Sequence, residues 1–483
     1  MHEQNEQMAS PEVVSKPARR SLKSFFGAQD MTENSPISCL VKFSMPLLIG
    51  NVAQQLYNTV DSIVVGQYVG DAALAAVGAS GPILNLLLVL FIGIATGGSI
   101  MVSQYFGAKQ KEALSHTVGM VITLNLICSL MIMIVGPLIT RPLMSLMNTP
   151  PDVYEMACTY LVIVFVGIAG LAYYNILSGV LRGLGDSVSP LIFLLVACGL
   201  NIVLDILFVA VFRWNVAGVA WATVISQTIS GILCFLRLLS MREVVTINLQ
   251  MLKLKKDMVK QILKLGLPSG LSQAIFSLAS LVVQSLTNSF GTLVIACATV
   301  LMRVDGFAMM PNFTFGTAMT TFSGQNIGAG KLERVHKGVR SGLILAVSVA
   351  VVLTSSILIF GRPLMGMFTK TQEVVDLGMQ MMGILALGYV CMGITQVFCG
   401  TMQGAGDTIT PMLISFTTTV VIRVPLAYGL AWMTRSPELP TGSPISLYIS
   451  LLVSWVLGAV LAFFFYKRGK WRRKAITVSA SQD

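Results

Sequence analysis

Charge is what this chain has least of. Only 11% of its 483 residues are Asp, Glu, Lys or Arg, where a soluble domain carries about a quarter, and histidine occurs three times. With 54% apolar residues and a mean hydropathy of +0.78, a surface wetted all round is excluded, and an ordinary soluble enzyme with it. The eight cysteines (Cys39, Cys128, Cys158, Cys198, Cys234, Cys297, Cys391, Cys399) are scattered without a CxxC pair, which speaks against a disulfide framework or a zinc site. No GxxxxGK[ST] loop occurs, so the chain has no motif for hydrolysing ATP, and energy must come from a gradient or a partner. No cofactor is expected. Residues 1–38 are polar and lack an apolar core, so they read as a disordered tail with no cleavable signal. The net charge is +11, but no basic face is interleaved with aromatics, so nucleic acid is not an expected partner.

Long apolar runs are what the chain has most of. They fall near 40–64, 76–104, 118–139, 155–180, 190–212, 217–240, 262–288, 292–324, 338–361, 375–401, 411–433 and 445–466, which predicts twelve membrane spans. With the amino terminus inside, 25 of the 32 basic residues lie on the inner face and five on the outer, leaving Arg303 and Arg423 within spans. That bias predicts an inner cell-membrane, multi-pass protein with both termini cytoplasmic. The division expected is a cytoplasmic tail (1–38), an amino-terminal lobe of six spans (39–240), a cytoplasmic linker (241–261), a carboxy-terminal lobe of six spans (262–466) and a basic cytoplasmic tail (467–483). Within the linker region, the alternation of Lys with Leu, Met and Ile from Met251 to Leu265 fits either a helix lying on the membrane surface or a solvated connection.

The chain repeats itself. Gln104 with Phe106-Gly107-Ala108-Lys109 returns as Gln325 with Ile327-Gly328-Ala329-Gly330-Lys331. Arg141-Pro142-Leu143-Met144 returns as Arg362-Pro363-Leu364-Met365, and Gly183-Leu184-Gly185-Asp186 with Pro190 returns as Gly404-Ala405-Gly406-Asp407 with Pro411. One offset serves all three pairs, carrying 104 to 325, 142 to 363 and 186 to 407, and Pro46 and Pro268 open the two halves. Six spans per half give repeats of equal orientation, hence two pseudo-symmetric six-helix bundles with a cleft between them. Rocking of the bundles would open that cleft to one side at a time. The glycine loops read as tight turns and not as a dinucleotide site, because no strand-helix-strand unit surrounds them. The 27 methionines fit helix packing better than a pocket of many shapes.

An ionised side chain inside a bilayer costs at least ~3 kcal/mol, so those retained are candidates for function. They are Asp61, Asp205, Arg303, Asp305 and Arg423. The last three form a candidate polar cluster of the second half, where two cations and one anion can pair among themselves. Asp61 and Asp205 have no Lys or Arg at comparable depth in their own half. Asp61 stands as far beyond Pro46 as Asp205 does beyond Pro190. A helix rise of about 1.5 Å per residue then sets both acids at one height in the outer half. Asn201 is one turn from Asp205 on the same face, and Thr223 reaches the same level from the next span. Two carboxylates, an amide and a hydroxyl then converge where they can be protonated, share a proton, or hold Na⁺ through oxygen ligands. Either occupant makes the cluster a coupling site. The plainer alternative is that Asp205 bonds a neighbouring hydroxyl or backbone group. Pro46 reads equally as a hinge and as a helix-start proline.

On these residues the chain resembles the multidrug and toxic compound extrusion family, and within it the DinF-like branch, over residues 35–466. The carriers are Pro46 with Tyr57-Asn58-Thr59-Val60-Asp61, the two Gly-x-Gly-Asp-x-x-x-Pro loops, and Asn201-Ile202-Val203-Leu204-Asp205. The resemblance implies a V-shaped pair of bundles, acting as a monomer, that exports lipophilic, often cationic, drug-like compounds in exchange for H⁺ or Na⁺. It further implies that Asp61 takes up the ion while α-helical span 1 bends at Pro46, with Asn201, Asp205 and Thr223 lining the same cavity. The glutamate that the NorM-like branch carries in its seventh span is missing at Gln273-Ala274-Ile275-Phe276. Alternatives are a lipid-linked precursor flippase or a dedicated metabolite carrier of the same superfamily. An ion channel would need a charged ring or selectivity loop, and neither is seen.

Overall fold

With no water in the bilayer core, every backbone N–H and C=O must be bonded internally, and a helix does this within one segment. The computed structural model describes residues 28–147, 149–367, 369–437 and 439–476, and helices dominate throughout. In chain order they are α1 (Pro36–Val64), α2 (Asp71–Gly107), α3 (Lys111–Leu146), α4 (Pro151–Val166), α5 (Ile168–Gly183), α6 (Val188–Asp205) and α7 (Asn215–Ser240) in the first half. The second half holds α8 (Lys256–Ser289), α9 (Thr292–Gly328), α10 (Leu332–Gly366), α11 (Gln372–Gly404), α12 (Ile409–Phe416), α13 (Val424–Met433) and α14 (Ile445–Arg468). Among the described residues, eleven helical runs are long and apolar enough to cross a membrane, and the bent pair α4 and α5 makes a twelfth span. The protein is therefore an all-helical, multi-pass membrane protein. The span expected as one helix at 155–180 bends by 55° at Gly167. A β-carbon there would lie 2.2 Å from the Val224 side chain, so the glycine lets α7 press into the span.

Helix starts repeat as the sequence does. Asp71, Lys111 and Val188 open α2, α3 and α6, and their mates at the offset of the repeat, Thr292, Leu332 and Ile409, open α9, α10 and α12. The two turns at Gly185 (φ 85°) and Gly406 (φ 91°) share the left-handed conformation that favours glycine. Behind each, an aspartate ties the next helix: Ser189 donates to Asp186 through N–H (3.0 Å) and hydroxyl (2.7 Å), and the Thr410 hydroxyl donates to Asp407 (2.7 Å).

The halves meet at the end of the bundle that carries both described chain ends and the basic loops. Gly107 touches Gln325 and Gly328 touches Gln104 so closely that a β-carbon on either glycine would lie 1.9 Å from the facing carbonyl oxygen. Gly97 and Gly266 give α2 and α8 a similar close approach. Further along, the Asn51 amide donates to the Thr314 hydroxyl at 3.0 Å between α1 and α9. Beyond that level Leu56, Met302 and Phe307 are exposed and a cleft of about 270 Å³ opens between Gln55 and residues 299–307. We expect Gly107→Ala and Gly328→Ala each to destabilise this seam by about 1–3 kcal/mol through overpacking. A lowered thermal midpoint in detergent checks it, and an unchanged midpoint would mean that the seam does not hold the fold together.

The first turns of α1 do not pack in their own half. Leu40 and Phe43 are buried with Phe315, Phe322 and Val335 of the second half, while Ile262 and Leu265 of α8 are buried in the core of the first. Pro46 and Pro268 follow these crossings, and α1 and α8 both continue as helices through their prolines. Two expectations change here. The connection after α7 is irregular and tied to α3 by the Thr123 hydroxyl donating to the Leu252 carbonyl at 2.9 Å, residues 248–250 and 253–255 are exposed, and α8 already begins at Lys256, inside the linker expected at 241–261. Residues 28–35 are not loose, because Met31 and Thr32 are buried against α9 and α10. In the basic tail, Trp471 and Ile476 are buried as well. Residues 1–27 and 477–483, with Lys16, Arg19, Arg20 and Lys23 of the expected inner charge, lie outside the described residues.

Candidate functional site

Helix α1 packs on α6, α6 on α7 and α4 on α7, which gathers polar side chains of four helices inside the first half. Asn201 and Asp205, one turn apart on α6, are fully buried, and Asp61 on α1 is half-buried. The carboxyls of Asp61 and Asp205 come within hydrogen-bonding reach of each other. The Tyr57 and Thr223 hydroxyls are 3.5 Å apart, and Tyr57 and Tyr160 lie within electrostatic reach of both acids. All four residues expected to converge are therefore in one neighbourhood, joined by Tyr57 of the quoted motif, assigned no role from the sequence, and by Tyr160, which the pattern did not single out. Tyr57 stands one turn before Asp61, and that spacing was the available signal.

Buried polar atoms are ordinarily bonded, so the exceptions carry information. Oδ1 of Asp61, both carboxyl oxygens of Asp205 and both polar side-chain atoms of Asn201 have no hydrogen-bond partner among the described residues. None of the ion pairs there reaches either acid: they join His116 to Glu112, Arg141 to Glu155, Arg237 to Asp186, Arg362 to Asp376 and Lys474 to Asp407. Like charges at close range disfavour each other, and a proton or a hard cation relieves both the repulsion and the unfilled bonds. Directly beyond the acids both helices widen into π turns, Val65–Val69 after α1 and Ile206–Val211 after α6. Such turns are rare and gather at functional sites.

A third π turn, Thr417–Arg423, brings Arg423 to the polar cluster of the second half. There Asp305 accepts a hydrogen bond from the Tyr389 hydroxyl, and Arg423 lies within electrostatic reach of Asp305 and Tyr448. Asp305 thus has a tyrosine donor beside the expected Arg423, and Arg303 lines the cleft facing Gln55. Tyr389→Phe should destabilise by about 1 kcal/mol, since it strips a half-buried carboxyl of its donor. Thermal unfolding checks it, with Asp305→Asn as the milder control. A Tyr389→Phe midpoint equal to wild type would show the bond to be dispensable.

Between the halves lies a cavity of about 500 Å³. Its walls are mated by the repeat: Asn51 with Ser272, Thr96 with Thr317, Ser99 with Thr320, Asn175 with Gln396 and Arg182 with Gln403 all line it at the offset of the two halves. The cavity therefore sits on the pseudo-twofold axis. Of the methionines crowding the second half, Met392 lines it, while Met319, Met381, Met382 and Met402 are packed in the core. At the basic end the axis is crossed by two mated amides. Gln104 Nε2 donates to the Gly404 carbonyl at 2.7 Å and Gln325 Nε2 donates to the Gly183 carbonyl at 3.1 Å.

A duplicated helical bundle in the membrane with an axial cavity and a stranded acid pair defines a transporter of small molecules and not an enzyme. The MatE family profile matches residues 46–207 and 268–429, one match in each half, and the chain belongs to that family. It is similar to the probable multidrug resistance proteins YpnP (30% identical over 446 residues, 92% of this chain and 98% of that one) and YoeA (29% over 444 residues, 90% and 94%) of Bacillus subtilis. Among solved structures, an outward-facing conformation of a multidrug resistance MATE family transporter of the MOP superfamily superposes with a TM-score of 0.84. It is 25% identical and covers 91% of this chain and 97% of that one.

Proposed function

We propose that this protein is a secondary active exporter of lipophilic compounds in the inner cell membrane, working by alternating access and driven by inward movement of H⁺ or Na⁺. The observation that carries it is the set of unpartnered polar atoms on Asp61, Asn201 and Asp205. Such a set is stable with an ion in place and unfavourable when bare, so its occupancy biases the bundle between two packings. Thr223 joins as a hydroxyl ligand, held near the acids by Tyr57. Pro46 is the hinge of this reading, since it lies between Phe43, packed in the second half, and Tyr57 beside the acids. If Na⁺ is the coupling ion, Asp61, Asn201, Asp205 and Thr223 are its ligands. With the basic end inside, the geometry corresponds to an outward-facing state, the state named for the similar solved structure.

The test is transport into proteoliposomes under an imposed pH gradient or an imposed Na⁺ gradient at matched voltage. We expect one of the two to drive accumulation. Equal rates with both gradients and with neither would end the proposal. Cationic substrates would meet no carboxylate in the axial cavity, since neither Asp nor Glu lines it among the described residues.

A further inference from the structure

The axial cavity carries a positive charge with nothing to balance it. Arg182, on the last turn of α5, lines the cavity, and its guanidinium makes neither an ion pair nor a hydrogen bond among the described residues. Its electrostatic neighbours there are Tyr174 and Cys234, both ordinarily neutral at physiological pH. The acid one turn further on, Asp186, is already held by Ser189 and by Arg237 at 3.3 Å. The carboxy-terminal end of α5 carries partial negative charge, which lets a bare guanidinium persist but gives it no bidentate partner.

We propose that the axial cavity binds the oxyanion group of an organic substrate, a carboxylate or phosphate, with Arg182 as its anchor. The inference rests on the reading of this cavity as the transport path and names the substrate class for it. A guanidinium pairs such a group with two parallel N–H bonds, while a cation entering here meets a like charge and no acid. Ser99 and the second amide N–H of Asn175, whose first donates to the Leu171 carbonyl, add neutral donors to the walls, and Phe276, Phe313 and Trp455 line the cavity with aromatic surface for an apolar body. A volume of about 500 Å³ suits a molecule of drug size. Across the axis the mate of Arg182 is Gln403, an uncharged residue of similar reach, so the repeat itself provides a swap.

The experiment uses full-length protein in lipid nanodiscs and three probes with one naphthyl body: 2-naphthoate, 2-naphthyl phosphate and 2-naphthyl-trimethylammonium. Binding is read from probe fluorescence anisotropy. We expect both anions to bind and the cation neither to bind nor to compete. Arg182→Gln should weaken the anions about ten-fold or more, the scale of a lost charge-assisted pair. The double variant Arg182→Gln with Gln403→Arg should restore them, which a purely structural role for Arg182 would not. Nanodiscs of phosphatidylglycerol against phosphatidylcholine separate two sources of the anion: competition by the anionic lipid points to a headgroup, and its absence points to a soluble acid. Binding of the cation equal to that of the anions, or anion binding unchanged in Arg182→Gln, overturns the proposal. Because binding needs no gradient, anion binding without gradient-driven transport sinks the transport mechanism alone. Gradient-driven movement of the cation with no anion binding sinks this inference alone.

Discussion

Asp205→Asn and Asp61→Asn should each reduce gradient-driven transport about ten-fold or more while leaving the protein no less stable. The two halves of this expectation come from one fact. Both carboxyl oxygens of Asp205 are buried and accept from no N–H or hydroxyl among the described residues, so apart from a proton shared with Asp61 the fold derives no hydrogen bond from them. Asparagine keeps the shape, removes an ionisable group that is unfavourable in an apolar interior, and leaves the site unable to take up a proton or hold a cation. Groups retained for function at the expense of stability give this opposed signature when neutralised. Rates in proteoliposomes and thermal midpoints of the same preparations provide the check. Transport at wild-type rates in both variants would remove the acids from the coupling step. Loss of transport together with a large drop in midpoint would make Asp205 a structural residue instead. Asp61, half-buried and with one unpartnered oxygen, should show the smaller gain in stability.

Asp61 and Asp205 are legible in the sequence because a carboxylate in an apolar run stands out and helix rise converts spacing into depth. The same arithmetic brings in Asn201 and Thr223. The duplication is legible because glycine turns and their capping aspartates depend on local chemistry, which the two halves share. Arg182 is hidden in plain view: it precedes the glycine loop, so it reads as loop charge, yet α5 runs through Gly183 and carries it into the cavity wall. The break at Gly167 depends on Val224 in another helix, and no local pattern in α4 or α5 announces that contact. The Tyr389 donor to Asp305 is hidden for the same reason, since α9 and α11 meet only in the folded bundle. Residues 28–35 look polar and loose because their partners belong to helices almost three hundred positions away, as the bond from Met31 to Gln325 shows.

The amides that served as landmarks of the repeat also bolt the basic end shut, and removing both should open it. Gln104 and Gln325 are fully buried, and each is used at both ends. Their N–H groups reach across to Gly404 and Gly183 of the opposite half, while their carbonyl oxygens accept from the segments that flank the bundle, Gln325 from Met31 N–H at 2.9 Å and Gln104 from Ile476 N–H at 2.8 Å. The segments around Met31 and Ile476 are thereby straps over the seam. Gln29 sits against Gly185 of the first half while its neighbour Met31 holds Gln325 of the second, and Lys474 sits against Gly406 while its neighbour Ile476 holds Gln104. Alanine at both glutamines leaves four backbone groups unbonded in the closed arrangement, and water can bond those same groups once the seam parts. At about 1 kcal/mol or more for each glutamine, the ratio of closed to open molecules should fall about ten-fold or more. Spin labels at Glu112→Cys and Glu333→Cys, exposed positions mated by the repeat near the starts of α3 and α10, report the separation across this end. The longer distance should gain population in the double variant and to a lesser degree in each single one. A distribution identical to wild type would mean that glycine packing alone, and not the paired amides, holds the seam closed.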